Sequence, residues 1–162
     1  MLFPQPHTIK LLATLLIAIV ASLTATAIER PPLALGLTYN HATEYGQHAL
    51  GVKLQSRLGQ HFRLEPELIY CNERKEVTTL HLNVNVHYVM PMATRLNIYP
   101  FAGVGYSHWG YVGPNANRWG VNLGAGIEYY LGRRWGALTE LRLHGVKHET
   151  QTLFTLGLKY NF

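Results

Sequence analysis

The side chains in this sequence that could do chemistry are nine histidines, one cysteine, and a set of glutamates, lysines and arginines; aspartate is absent. A nucleophilic hydroxyl needs a histidine within hydrogen-bond reach. Ser107 and His108 are neighbours, so on a strand they point to opposite faces. His41-x-Thr43 and His148-x-Thr150 are the nearest substitutes, and both fall at turn signals. His81 and His87 share one strand face but stand about 20 Å apart, too far to hold one ion. His41, His48, His144 and His148 fall near the rim on strands that closure makes neighbours, where solvated strand-end imidazoles are the first reading and a weak metal site the alternative. Cys71 has no partner for a disulfide, and without aspartate there is no calcium loop. The expectation is therefore no catalytic, metal or cofactor site.

The remaining charged residues make sense only through the elements that carry them. From Phe154 to Phe162, Phe154, Leu156, Leu158, Tyr160 and Phe162 alternate with Thr155, Gly157, Lys159 and Asn161. That is the period of a strand with one oily and one wet face. The same alternation recurs over about 33–41, 47–57, 61–71, 79–90, 95–109, 118–131, 134–146 and 151–162. Turn signals separate these segments at 43–46, 58–60, 72–75, 91–94, 110–117, 132–133 and 147–149. Eight strands with hairpin-length connections predict an all-β, antiparallel, up-and-down sheet, and closure into a barrel removes its edges. Pro66 and Pro100 fall inside strands, so each should mark a bulge or a missing ladder bond.

The wet face carries Lys53, Arg57, Arg63, Arg142 and Lys159 with Glu65, Glu67, Glu128 and Glu140. Five cations against four carboxylates nearly cancel. The short turn at 58–60 sets Lys53 opposite Glu65 or Glu67, depending on register. An eight-stranded barrel has an interior just wide enough for side chains. The ions should thus pair within a packed lumen, with the oily face outside against lipid. A soluble lipocalin-like binder would reverse the two faces.

Composition agrees with the membrane choice. Charged residues are only 14% of the chain, below the usual quarter. Downstream of the N-terminal run no apolar stretch approaches ~20 residues, so spanning must be done by strands. The net charge of +5 is scattered, with no basic run suited to nucleic acid. Residues 1–27 read as a secretory signal, with Lys10, an apolar run over 11–21 and a small-x-small site at Ala25-Thr26-Ala27. The mature barrel would cover 28–162.

Aromatics on the oily face fall into two rings if the first strand starts in the periplasm. Tyr39, Tyr70, Tyr106, Trp119 and Phe154 form the outer girdle; Phe62, Tyr88, Tyr129, Trp135 and Tyr160 form the inner one. Trp119 to Tyr129 is roughly 33 Å along the strand. Tilted by ~40°, it covers roughly 25 Å of membrane height.

Over about 32–162 the chain resembles the small eight-stranded outer-membrane barrels typified by OmpA and OmpX. Tyr99-Pro100-Phe101-Ala102-Gly103-Val104-Gly105-Tyr106 is similar to that family's Pro-x-x-Gly-x-Gly-Tyr run. The end of the chain, Thr155, Gly157, Tyr160 and Phe162, resembles the C-terminal signal read by the barrel assembly machinery. The resemblance implies a bacterial outer-membrane location, insertion by that machinery after escort by periplasmic chaperones, and contact with the bilayer and its lipopolysaccharide. Its outer loops are shorter than those of adhesive members, so adhesion is not implied. Lipid A-modifying barrels of the deacylase type use His-x-Ser on the lipid face, and none occurs here. A structural, envelope-maintenance role is the leading expectation. A narrow small-solute channel comes next, and a lipid A enzyme last.

Overall fold

A computed structural model describes residues 33–43, 46–72, 78–110, 116–146 and 149–162, with 72, 78, 109, 110, 116, 146 and 149 as backbone only. The segment expected to be a secretory signal, the residues 44–45, 73–77 and 111–115, and His148 lie outside the described residues. Among the described residues every regular element is a strand: β1 Leu33–Ala42, β2 Gln47–Arg57, β3 Phe62–Asn72, β4 Thr78–Tyr88, β5 Met90–Ala93, β6 Leu96–Gly110, β7 Ala116–Tyr130, β8 Trp135–Val146 and β9 Glu149–Asn161. Consecutive elements pair antiparallel except β4 with β5, and the pairings β1–β9 and β4–β6 close the sheet. β4 and β5 both pair β6 and together form one barrel strand, so the wall has eight.

The strand pattern follows from side-chain alternation, and its irregularities follow from proline. A proline nitrogen has no proton for a ladder bond. Opposite Pro100 the β6 ladder stops at Phe101–His87 and resumes at Ile98–Met90, which splits β4 from β5. Pro66 pairs normally with Val84 on one side, while the β2–β3 ladder skips from Lys53–Glu67 to Ser56–Leu64 without a register change. Both prolines thus interrupt ladders rather than make bulges. The register shift lies instead between Pro91 and Ala93. The expected break at 91–94 is corrected accordingly: Pro91 pairs Asn97, and the chain turns only at Thr94-Arg95. On the other end of the barrel, Gly46 leads into β2 with φ +59°, a left-handed conformation that glycine adopts without strain.

The two faces have opposite chemistry. Leu37, Leu50, Val121 and Leu123 are each more than 60% exposed, while Lys53, Glu65, Glu128 and Glu140 are at most 1% exposed. The grease is outside and the ions are inside.

Candidate functional site

Period-two alternation delivers the charged residues of β2, β3, β7, β8 and β9 into the lumen. Lys53 and Glu67 are cross-strand partners, and Lys53 Nζ donates to Glu65 at 3.0 Å and to both Glu140 oxygens at 2.8 Å; Glu67 is 3.5 Å away. Arg142 donates to Glu67 at 2.5 Å and to Glu140 at 3.3 Å. Arg63 and Lys159 both reach Glu128, at 2.7 and 2.6 Å. Lys159 also donates to Gln55, which itself donates to Glu65 at 2.7 Å. The cations Lys53, Arg63, Arg142 and Lys159 and the carboxylates Glu65, Glu67, Glu128 and Glu140 are all buried. Four face four, so the buried set is neutral.

These contacts cross the bore. β3 and β8 stand four strands apart in either direction, so Arg142–Glu67 spans the diameter. Lys53–Glu140 and Arg63–Glu128 join strands three apart. Arg57 sits apart from this set. It is half-buried, its cross-strand partner is Arg63, and among the described residues it makes no ion pair.

Two aromatic side chains of β6 brace the network, and sequence reasoning missed both. Tyr99 and Phe101 point inward, buried, and Tyr99 donates to Glu140 at 2.9 Å. His87 stacks on Tyr99 with ring centroids 4.8 Å apart and planes 6° apart, and it lies 3.3 Å from Glu65. The guanidinium of Arg63 lies 4.7 Å over the Tyr99 ring, and that of Arg142 5.4 Å over Phe101. The rings fit because their cross-strand partners are Gly126 and Gly124. A Cβ at Gly126 would stand 2.5 Å from the Tyr99 ring, and one at Gly124 would stand 2.5 Å from Phe101. A run of inward-facing glycines beside an aromatic strand was the available signal.

Glu65, His87 and Glu140 form a donor set of the kind that holds a cation. Lys53 Nζ, at hydrogen-bond distance from both carboxylates, supplies that cation from the chain itself.

The outer half of the lumen is amide-rich. Asn122 donates to Asn83 and Asn85 at 3.1 and 3.0 Å and meets His144 Nδ1 at 2.6 Å. His81 meets Ser107, its strand partner, at 2.7 Å, and His144 at a centroid distance of 5.8 Å. This histidine–serine pair is not the neighbour pair considered in the sequence. Ser107 is 1% exposed and faces the lumen, away from the lipid-facing wall. The rim histidines do not gather at one point: among the described residues His144 points inward, whereas His41 and His48 sit side by side on the outer wall.

The outer wall carries both sets of aromatics. Towards the end of the barrel where β1 passes to β2, Tyr106 packs on Trp119 at 5.1 Å, with Tyr39, Tyr70 and Phe154 also exposed on the wall. Towards the opposite end Phe62 meets Tyr88 at 5.4 Å, and Trp135 meets Tyr160 at 5.2 Å. Tyr129 is exposed on the same wall, and Phe162 packs on Tyr160 at 5.3 Å. Gly157 faces inward, where a Cβ would stand 2.9 Å from Leu37 O and from Thr38 Cγ2.

Comparison with known proteins agrees with this geometry. Nothing among the curated proteins matches the sequence. Among solved structures, the N-terminal β-barrel domain of Pseudomonas aeruginosa OprF is similar, with TM-score 0.68 at 16% identity over 82% of this chain and 98% of that one. Ail of Yersinia pestis is similar with TM-score 0.58, 12% identity, and coverage of 80% and 96%. Neisserial surface protein A gives TM-score 0.57, 11% identity, and coverage of 80% and 94%. The model of the outer membrane protein beta-barrel domain matches residues 11–162. The closed barrel with its grease outside fits that description, and this chain belongs to the outer membrane protein beta-barrel domain family of the bacterial outer membrane.

Proposed function

We propose that this barrel is a non-conducting structural element of the outer membrane, without a catalytic centre. The observation that carries the reading is the set of ion pairs spanning the bore, Arg142–Glu67 above all. An ion moving through would have to part buried charges that are paired at 2.5–3.0 Å. Separating one partner of such a pair costs about 3–5 kcal/mol, so steady conduction is disfavoured. Its role would be mechanical: a stiff, closed, hydrogen-bonded cylinder in contact with the bilayer and with lipopolysaccharide.

The same reading covers biogenesis. Residues 1–27 would direct export, periplasmic chaperones would hold the chain, and the assembly machinery would read Gly157, Tyr160 and Phe162. In support, the Tyr160 and Phe162 rings meet edge to face on the lipid side, where a partner strand or membrane receptor can reach them. Planar-bilayer recording of the refolded chain tests the central claim. Silence at physiological voltage is expected. Steady unitary currents would replace this reading with the narrow channel. Mass spectrometry of lipid A from cells with and without the protein should show unchanged acyl chains; a lost or added chain would make it an enzyme.

A further inference from the structure

His41 on β1 and His48 on β2 are direct cross-strand partners at the outer end of the barrel. Both stand on the outer wall just beyond Tyr39 of the outer girdle, at the level of lipid headgroups; His48 is exposed and His41 half-buried. Their Nδ1 atoms are 3.3 Å apart, with ring centroids at 4.8 Å. The Tyr39 hydroxyl also reaches His48 Nδ1. A neutral imidazole nitrogen offers one lone pair or one proton, never both. Three polar atoms therefore converge where one hydrogen bond uses two.

The spacing is that of a chelate. Two nitrogens on a tetrahedral ion at 2.0–2.1 Å are about 3.3–3.4 Å apart. Imidazole pairs favour zinc, nickel and copper over the hard cations, which take oxygen. We propose that His41 and His48 form a binding site for a divalent transition-metal ion of the zinc class on the outer wall, with water in the remaining positions. Each ring binds through Nδ1, and the antiparallel pairing of β1 with β2 presets the distance. Tyr39 is a competitor rather than a ligand, because its hydroxyl occupies the lone pair of His48 that the metal takes. The lumen has no equivalent vacancy, since Lys53 already sits between Glu65 and Glu140.

Untagged full-length barrel, refolded in detergent, is titrated calorimetrically with Zn2+ and Ni2+. One saturable equivalent is expected. His41→Gln and His48→Gln should each weaken it roughly tenfold or more, since losing one arm removes the effective concentration of the other. Heat-modifiable gel migration verifies that both variants remain closed barrels. His108→Gln, whose ring instead meets Asn117 on the same rim, should bind as the parent does. Tyr39→Phe should bind as tightly or more tightly. The site is overturned by an absence of saturable binding, by either rim variant binding within about twofold of the parent, or by His108→Gln losing the equivalent. A tenfold loss in Tyr39→Phe would overturn the two-nitrogen assignment.

Discussion

Thr139 and Glu140 are adjacent in β8 and live in different solvents. Thr139 stands on the outer wall between Leu156 of β9 and Ile127 of β7. Glu140 is buried in the lumen, where it accepts from Lys53, Tyr99 and Arg142. One peptide unit separates hydrocarbon from a network of paired ions. A strand reverses its facing at each residue, so a barrel one strand thick can keep both environments. The wall tolerates any apolar shape. The lumen tolerates only side chains that complete its charge balance and its packing.

The largest effect should come from unbalancing the lumen. Glu140→Leu strips three donors of an acceptor at once and leaves four buried cations facing three carboxylates, and an unbalanced buried charge costs about 3–5 kcal/mol. Urea titration in detergent, followed by Trp fluorescence, reads the loss. Adding Lys53→Met to that variant restores neutrality and should recover more than half of it. No recovery would mean that the loss is one of volume and not of charge.

The next largest effect lies one residue away. Thr139→Arg places a cation on the wall between the two girdles and should cost about 2–4 kcal/mol near the midplane. Here the choice of host medium sharpens the contrast. Lipid vesicles should show the full Thr139→Arg cost. A loose detergent shell should show less, while the Glu140→Leu cost stays the same in both. Equal shifts at the two positions would erase the distinction between wall and lumen.

Much of this contrast was legible in the sequence, because alternation is a local signal. The strands, the closure, the outward grease and the pairing of Lys53 with Glu65 and Glu67 all follow from spacing and a short turn. Contacts across the bore do not. Arg142 meets Glu67 only because β3 and β8 face each other around a closed circumference, and spacing along one chain carries no such information. The inward Tyr99 and Phe101 were hidden for another reason. Aromatic residues read as wall, and only Gly126 and Gly124 on the partner strand reveal that space was left inside for rings. The His81–Ser107 pair likewise depends on the β4–β6 register, which the loop between them does not encode.

The smallest pair of changes tests packing without charge. Gly126→Ala adds one methyl group inside, where its carbon would stand 2.5 Å from Tyr99 Cζ. The ring holds Glu140 and stacks on His87, so it cannot move freely. Overpacking of this kind costs about 1–3 kcal/mol. Ala125→Val adds two methyl groups at the preceding residue, which faces outward between Pro100 and Leu141. Valine suits a strand, and lipid closes around whatever shape it meets, so the change should stay within about 0.5 kcal/mol. The smaller addition should therefore do the greater damage. Midpoints measured side by side decide it: if Ala125→Val destabilises as much as Gly126→Ala, the wall is as tightly specified as the lumen, and the barrel is not a soft-coated cylinder around a rigid polar core.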